Sequence, residues 1–205
     1  MKKIFLASKA SNVLDKFIEM LDKKPSDLTV GFVPTAADPY ENKYFIVNDR
    51  DKLAEAGFNI IDVNIADKSQ KFLQEQFKNI DIIFVAGGNV FYLLEKVFAS
   101  GFDNIIKKHI ENEKYYIGSS AGSIIIGTSV EPIQLLDDLS KWPNLKSFDG
   151  LKIVDKIILP HYGYEKYQEK MEILLQKYSN LSNNIIKLTD NQALIIENWN
   201  LKIIW

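Results

Sequence analysis

Apolar positions along this chain alternate between two spacings, and the alternation lays out most of its elements. Continuous apolar or β-branched runs, "KIFLA" (3–7), "LTVGFVP" (28–34) and "NIIDVNI" (59–65), read as strands. Between them, apolar residues recur at helical intervals in "SNVLDKFIEML" (11–21) and "ENKYFIVNDRDKLAEAG" (41–57). Ser11 is the expected N-cap of the first helix and Gly57 the stop of the second. A third helix is predicted over "SQKFLQEQFKN" (69–79). It is followed by "IDIIFVAGGN" (80–89), a strand running into a double glycine whose continuous apolar character suits a parallel strand buried on both faces.

"VFYLLEKVFAS" and "FDNIIKKHIENE" predict two further helices, "YYIG" (115–118) a fifth strand and "SAGSIIIG" (120–127) a short helix. The last third is less regular. "KIILPHYG" (156–163) reads as a strand, "EKYQEKMEILLQKYS" (165–179) as a helix, and "NIIKL" and "QALIIENWNLKIIW" as strands with a hairpin turn at 198–200. Strand and helix alternating in this way predict an α/β fold: a doubly wound, mostly parallel sheet with helices on both faces. No repeat, linker or low-complexity segment interrupts the 205 residues, so a single domain over 1–205 is expected.

Composition narrows the chemistry. Hydrophobic residues make up 46% and charged residues 25%, as in a globular domain with a sizeable core. Net charge is −2 with interspersed signs, so no basic field points to nucleic acid. The apolar runs fall short of the roughly 20 residues of a membrane span. The start reads as a strand rather than a signal peptide, and a cytoplasmic location is expected. There is no cysteine, which removes disulfides and thiolate chemistry, and only two histidines, which argues against a histidine-rich metal site. Arg50 is the only arginine.

The densest chemistry lies in "YYIGSSAGSIIIG" (115–127). Gly118-Ser119-Ser120-Ala121-Gly122 fits G-x-S-x-G, in which a serine on a sharp strand-to-helix turn is pushed out of the sheet. By this pattern Ser120 is the exposed nucleophile, Ser119 points into the turn and Ser123 into the helix. The free N–H of Ala121, opening a helix, suits an oxyanion.

A serine needs a base. His109 lies among charges in a predicted helix and reads as a solvated surface residue, whereas His161, after the strand of "ILPHYG", sits where catalytic groups gather. Between Ser120 and His161, candidates for the orienting carboxylate are Glu131 in "TSVEPI", Asp137 and Asp138 in "QLLDDLS", Asp149 and Asp155; local pattern leaves the choice open. Gly87-Gly88-Asn89 ends the fourth strand beside a helix N-terminus, where backbone N–H groups suit an oxyanion or a substrate carboxylate. Asn89 is a candidate both for binding substrate and for capping that helix.

Taken in order, "FVPTAA", "AGGNVFYLL", "GSSAGS" and "PHYG" resemble the peptidase E / cyanophycinase family of serine peptidases, over about residues 3–197. The resemblance implies a three-layer, flavodoxin-like sandwich related to class I glutamine amidotransferases. It also implies hydrolysis of dipeptides or short peptides without metal or organic cofactor. On the matching positions it implies Ser120 as nucleophile, His161 as base, Gly88 and Ala121 as oxyanion hole and Glu131 as acid. Small peptides are then the partners, with no nucleic acid or membrane, and the protein a monomer or homodimer. One departure stands out: the aspartate-reading arginine that follows the family's histidine is missing from "YGYEKYQEKMEILL", where Lys166 and Lys170 are the cations left to substitute. An esterase-type hydrolase sharing G-x-S-x-G, and a non-catalytic binding module on the same fold, are the alternative readings.

Overall fold

The structure is a computed structural model describing residues 3–137, 145–198 and 200–205. Five parallel strands form the centre: β1 (Lys3–Ala7), β2 (Thr29–Val33), β3 (Asn59–Asp62), β4 (Ile82–Val85) and β5 (Tyr115–Ser119). The sheet runs β3-β2-β4-β5-β1 and is extended by two antiparallel strands, β8 (Ala193–Glu197) and β9 (Asn200–Ile204). Glu197 pairs with Asn200, so the expected hairpin turn is present, led by Asn198 at φ 49°. A separate two-stranded parallel ribbon, β6 (Ile157–Leu159) and β7 (Ile185–Lys187), stands apart from this sheet.

β4 and β5 are buried at every position, as the uninterrupted apolar runs predict. Alternate residues feed two cores. On one face Ile4, Leu6, Ile83, Val85 and Tyr116 pack against α3 (Gln70–Phe77), α4 (Val90–Ser100), α5 (Phe102–Glu111) and α6 (Ala121–Ile124). On the other, Phe5, Phe32, Phe84 and Ile117 meet α1 (Leu14–Ile18) and α2 (Tyr44–Glu55). α7 (Gln168–Lys177) joins the first core through Met171 and Leu174. Among the described residues no helix is long and apolar enough to cross a membrane.

Two expectations need correction. Ser11 is not the cap of a long first helix: it lies in a 3-10 turn (Ala10–Asn12), its N–H held by Asp49 Oδ1 at 2.8 Å, and α1 is a single short helix beyond it. His109 is not a surface residue. Phe102, Ile105, Ile106, His109 and Ile110 form one stripe at helical spacing, and the stripe is buried. The imidazole sits 5% exposed and donates from Nε2 to the Tyr115 carbonyl at 2.9 Å.

Burial pushes the His109 pKa down to about 4 from an ordinary value of 6.5. The unfolded chain takes up this proton first, so the stability from the neutral ring is complete above pH 6.5 and declines as pH falls from 6.5 to 4. The loss amounts to about 3 kcal/mol at roughly 1.4 kcal/mol per unit. Urea denaturation of His109→Gln, which keeps a donor for Tyr115, should lack that decline relative to the unmodified protein; parallel curves would disprove it.

Candidate active site

The C-terminal ends of β1, β5 and β4 lie side by side, and each delivers a part of the site just beyond its last residue. β5 leads into Ser120, whose backbone sits at φ 49° and ψ −108°, a region a side-chain-bearing residue rarely occupies. Glycines make this turn possible. A Cβ at Gly122 would fall 2.0 Å from the Val85 carbonyl oxygen, and one at Gly118 would fall 2.6 Å from the Gly122 carbonyl. The Ser120 N–H donates to the Ala7 carbonyl at 3.0 Å, pinning the turn to β1. As the pattern predicts, Ser119 and Ser123 face inward. Ser119 is buried and its Oγ accepts from Ala10 N at 3.2 Å, while Ser123 Oγ lies 2.8 Å from both the Ala7 and Gly118 carbonyls.

His161 and Asp190 come from the small ribbon. Each stands just past one of its parallel strands, β6 and β7, so the two arrive together. Ser120 Oγ lies 3.0 Å from His161 Nε2, and His161 Nδ1 lies 2.7 Å from Asp190 Oδ1. The carboxylate can only accept, so Nδ1 carries the proton and Nε2 of the neutral ring is free to accept from the serine. The hydrogen bond from His161 outweighs burial, which acts the other way, and with that from Ser8 it holds the Asp190 carboxyl below its ordinary range. Ser8, directly after β1, ties the group together: its hydroxyl donates to Asp190 Oδ1 at 2.6 Å and accepts from His161 N at 2.7 Å. His161 itself is held at φ 60°.

Glu131 is therefore not the partner of His161. It is an exposed residue at the start of a 3-10 turn (Glu131–Leu135), where its Oε1 accepts from the Tyr178 hydroxyl at 3.3 Å, and it lines a different cavity together with Asp155. Asp149 pairs with Lys152 at 3.1 Å, and Asp138 lies outside the described residues. Asp137 does border the site, but its Oδ2 accepts from Val90 N at 3.1 Å. Sequence reasoning missed Asp190 and Ser8. The acid lies beyond His161 rather than before it, and its signal is that "IIKLTD" repeats the layout of "IILPH", an apolar run followed by a polar residue at the strand's end.

Gly88 borders the same space at φ 143°, where a Cβ would strike the Ala36 carbonyl at 2.1 Å. Among the described residues its N–H has no acceptor, nor has that of Ala121 at the start of α6. Asn89 does not line the space itself, although its side chain hydrogen-bonds Tyr40, which does. It is 6% exposed, and its Oδ1 accepts from Phe91 N and Tyr92 N, capping α4. Lys166 borders the site from an exposed position, its Nζ 5.8 Å from the Tyr167 ring centre. Among the described residues no group of three or more histidine or acidic side chains is arranged to hold a metal.

This fold, carrying a serine, a histidine and an aspartate in line at the strand ends, has the make-up of a hydrolase. Residues 4–204 match the model of Peptidase family S51, and the chain belongs to that family. It is 30% identical over 204 residues to an uncharacterized peptidase of Pasteurella multocida, covering 100% of this chain and 97% of that protein. To peptidase E of Haemophilus influenzae it is 28% identical over 182 residues, 83% of this chain and 77% of the relative. The crystal structure of a Listeria monocytogenes protein, for which a peptidase E identity has been suggested, superposes with a TM-score of 0.93 at 29% identity, covering 100% and 98% of the two chains. A peptidase from an acI-B1 Actinobacterium shares the fold at a TM-score of 0.71 and 17% identity. The chain is a peptidase, peptidase E-like in family and fold.

The two acids make opposite predictions. Asp190→Asn should cut kcat by about 10³–10⁴-fold by removing the group that holds the His161 tautomer. Glu131→Gln should stay within about twofold, being a surface change. Steady-state kinetics of the two variants side by side would refute the pairing if the losses were reversed.

Proposed function

We propose that the protein is a serine-type peptidase that hydrolyses dipeptides or short peptides, with Ser120 as nucleophile, His161 as general base and acid, and Asp190 as the orienting carboxylate. The observation that carries this reading is the unbroken line from Ser120 Oγ through both nitrogens of His161 to Asp190. His161 Nε2 takes the hydroxyl proton as Ser120 Oγ bonds to the peptide carbonyl carbon, and Asp190 balances the positive charge formed on the ring. The N–H groups of Gly88 and Ala121 receive the negative charge on the carbonyl oxygen. Collapse of this adduct breaks the C–N bond, and His161 returns its proton to the leaving amine. Water then loses a proton to the same nitrogen and attacks the acyl-serine; the ester C–O bond breaks, His161 returns that proton to Ser120 Oγ, and the acid leaves.

Size favours small substrates. The two spaces that Ser120 borders measure about 260 Å³ and 290 Å³, room for single residues rather than for a folded chain. Against the esterase reading stands membership of a peptidase family. Against a binding module stands a pair of amides, without acceptors among the described residues, beside an aligned serine.

Hydrolysis of a dipeptide panel by the unmodified protein and by Ser120→Ala tests this directly. The unmodified protein should cleave at least one member, and the variant should lose about 10³-fold or more. Equal, background-level rates together with no labelling of Ser120 by a fluorophosphonate would refute the mechanism. Turnover of esters but no amides would refute the peptidase assignment alone.

A further inference from the structure

The space of about 260 Å³ beside Ser120 has a character of its own. Ile124, Ile133, Leu136 and Pro160 give it apolar walls, and Asp137 is the one acid lining it among the described residues. That carboxylate has a single hydrogen bond, from Val90 N to Oδ2; among the described residues Oδ1 has no partner and no cation comes within ion-pair distance. Asp137 is part-buried, and burial pushes its carboxyl above the ordinary range, the condition of a charge partly withdrawn from water without a full set of partners.

Two tyrosines stand beside it. Tyr40 and Tyr167 line the same space, and both phenols are raised, Tyr40 to about 12, by burial first and then by the negative charge of Asp137. They therefore stay neutral and present aromatic rings next to a carboxylate. Aromatic faces and an unmatched anion together suit an ammonium group.

Resting on the reading of Ser120 as nucleophile, we infer that this space is the subsite for the first residue of a free peptide, with its α-ammonium on Asp137 and an uncharged side chain against the apolar walls. Peptide geometry is the reason for assigning the α-ammonium. The α-nitrogen is two bonds from the carbonyl carbon that Ser120 attacks, about 2.5 Å away, so the group that reads it must border the same space as the nucleophile. Asp137 does, together with Gly88 and His161.

The same charges disfavour an acidic first side chain. Such a side chain would meet Asp137, and no guanidinium is at hand to offset the repulsion. Arg50, the only arginine, is held by Asp62 through Nε at 2.9 Å and Nη2 at 2.8 Å. Lys166 reaches the space only from its exposed rim and is directed toward the Tyr167 ring.

Asp137 also caps α4 through Val90 N, and a purely structural role would end there. Asp137→Asn separates the two roles, because the amide oxygen still accepts from Val90 while the charge is gone. Calorimetric titration of Ser120→Ala protein with Leu-Ala, N-acetyl-Leu-Ala and Asp-Ala is the experiment. Leu-Ala should bind at least tenfold more tightly than either of the others. In the Ser120→Ala/Asp137→Asn protein the acetylated and free forms should come within about threefold. If the amide weakens folding, as a thermal melt would show, Asp137→Ser removes the same charge and keeps an acceptor. An undiminished preference for the free amine in these variants would overturn the inference, as would Asp-Ala matching Leu-Ala or Leu-Ala failing to bind. Binding rather than turnover is read, so absence of hydrolysis by the unmodified protein would remove the mechanism and leave the subsite standing.

Discussion

The approach of the Gly122 backbone to the carbonyl of Val85 is the contact on which the site is built. With only 2.0 Å between that oxygen and any Cβ at position 122, α6 can lie against β4 only if residue 122 has no side chain. Close packing there leaves the chain no gradual way from β5 into α6, and the turn falls on Ser120 at φ 49°. A conformation of this kind costs about 1–3 kcal/mol and persists only where surrounding structure imposes it. Here the imposing structure is the buried sheet: Ser120 N on the Ala7 carbonyl, Ser123 Oγ near the same atom, and Tyr116 Oη donating to the Gly122 carbonyl at 2.7 Å. The strain is local, and its effect is to project the hydroxyl beyond the strand ends.

The rest of the aligned group arrives by a different route. β6 and β7 are parallel and adjacent, so whatever follows them emerges at one edge, and that edge faces the end of β1. Ser8 closes the gap, bonding the backbone of His161 and the carboxylate of Asp190 at once. His161 at φ 60° is a second departure from ordinary backbone, and it too is held from both sides, with Tyr162 N on the Leu188 carbonyl at 3.0 Å. Two units with separate hydrogen-bond ladders thus meet through side chains whose distances leave little freedom.

What the sequence made legible follows from how local each signal is. Strand order, helix order, the elbow serine and His161 are written in runs of five to ten residues, and all appear where the pattern puts them. The buried face of α5 was also written there. His109 falls on the same stripe as Ile105, Ile106 and Ile110, and reading its charged neighbours instead of its spacing gave the wrong surface. Asp190 is a different matter. Its partnership with His161, 29 positions away, depends on β7 lying parallel to β6, a pairing that no local pattern announces. Glu131 had a convincing neighbourhood, a proline after it and an elbow before it, yet its side chain meets Tyr178.

The two aspartates near His161 illustrate how environment divides labour between chemically identical groups. Asp190 is held below the ordinary carboxylate range chiefly by the hydrogen bond from His161, so it remains charged and fixed on one imidazole nitrogen. Asp137 is raised above that range, because burial outweighs its one backbone donor. A carboxylate already matched to a ring nitrogen gains little from a further cation. One that is partly desolvated and only partly matched gains more, since the ligand's charge supplies part of what water no longer does. The same imbalance that makes Asp137 a poor orienting group for histidine thus suits it to hold the ammonium end of a substrate.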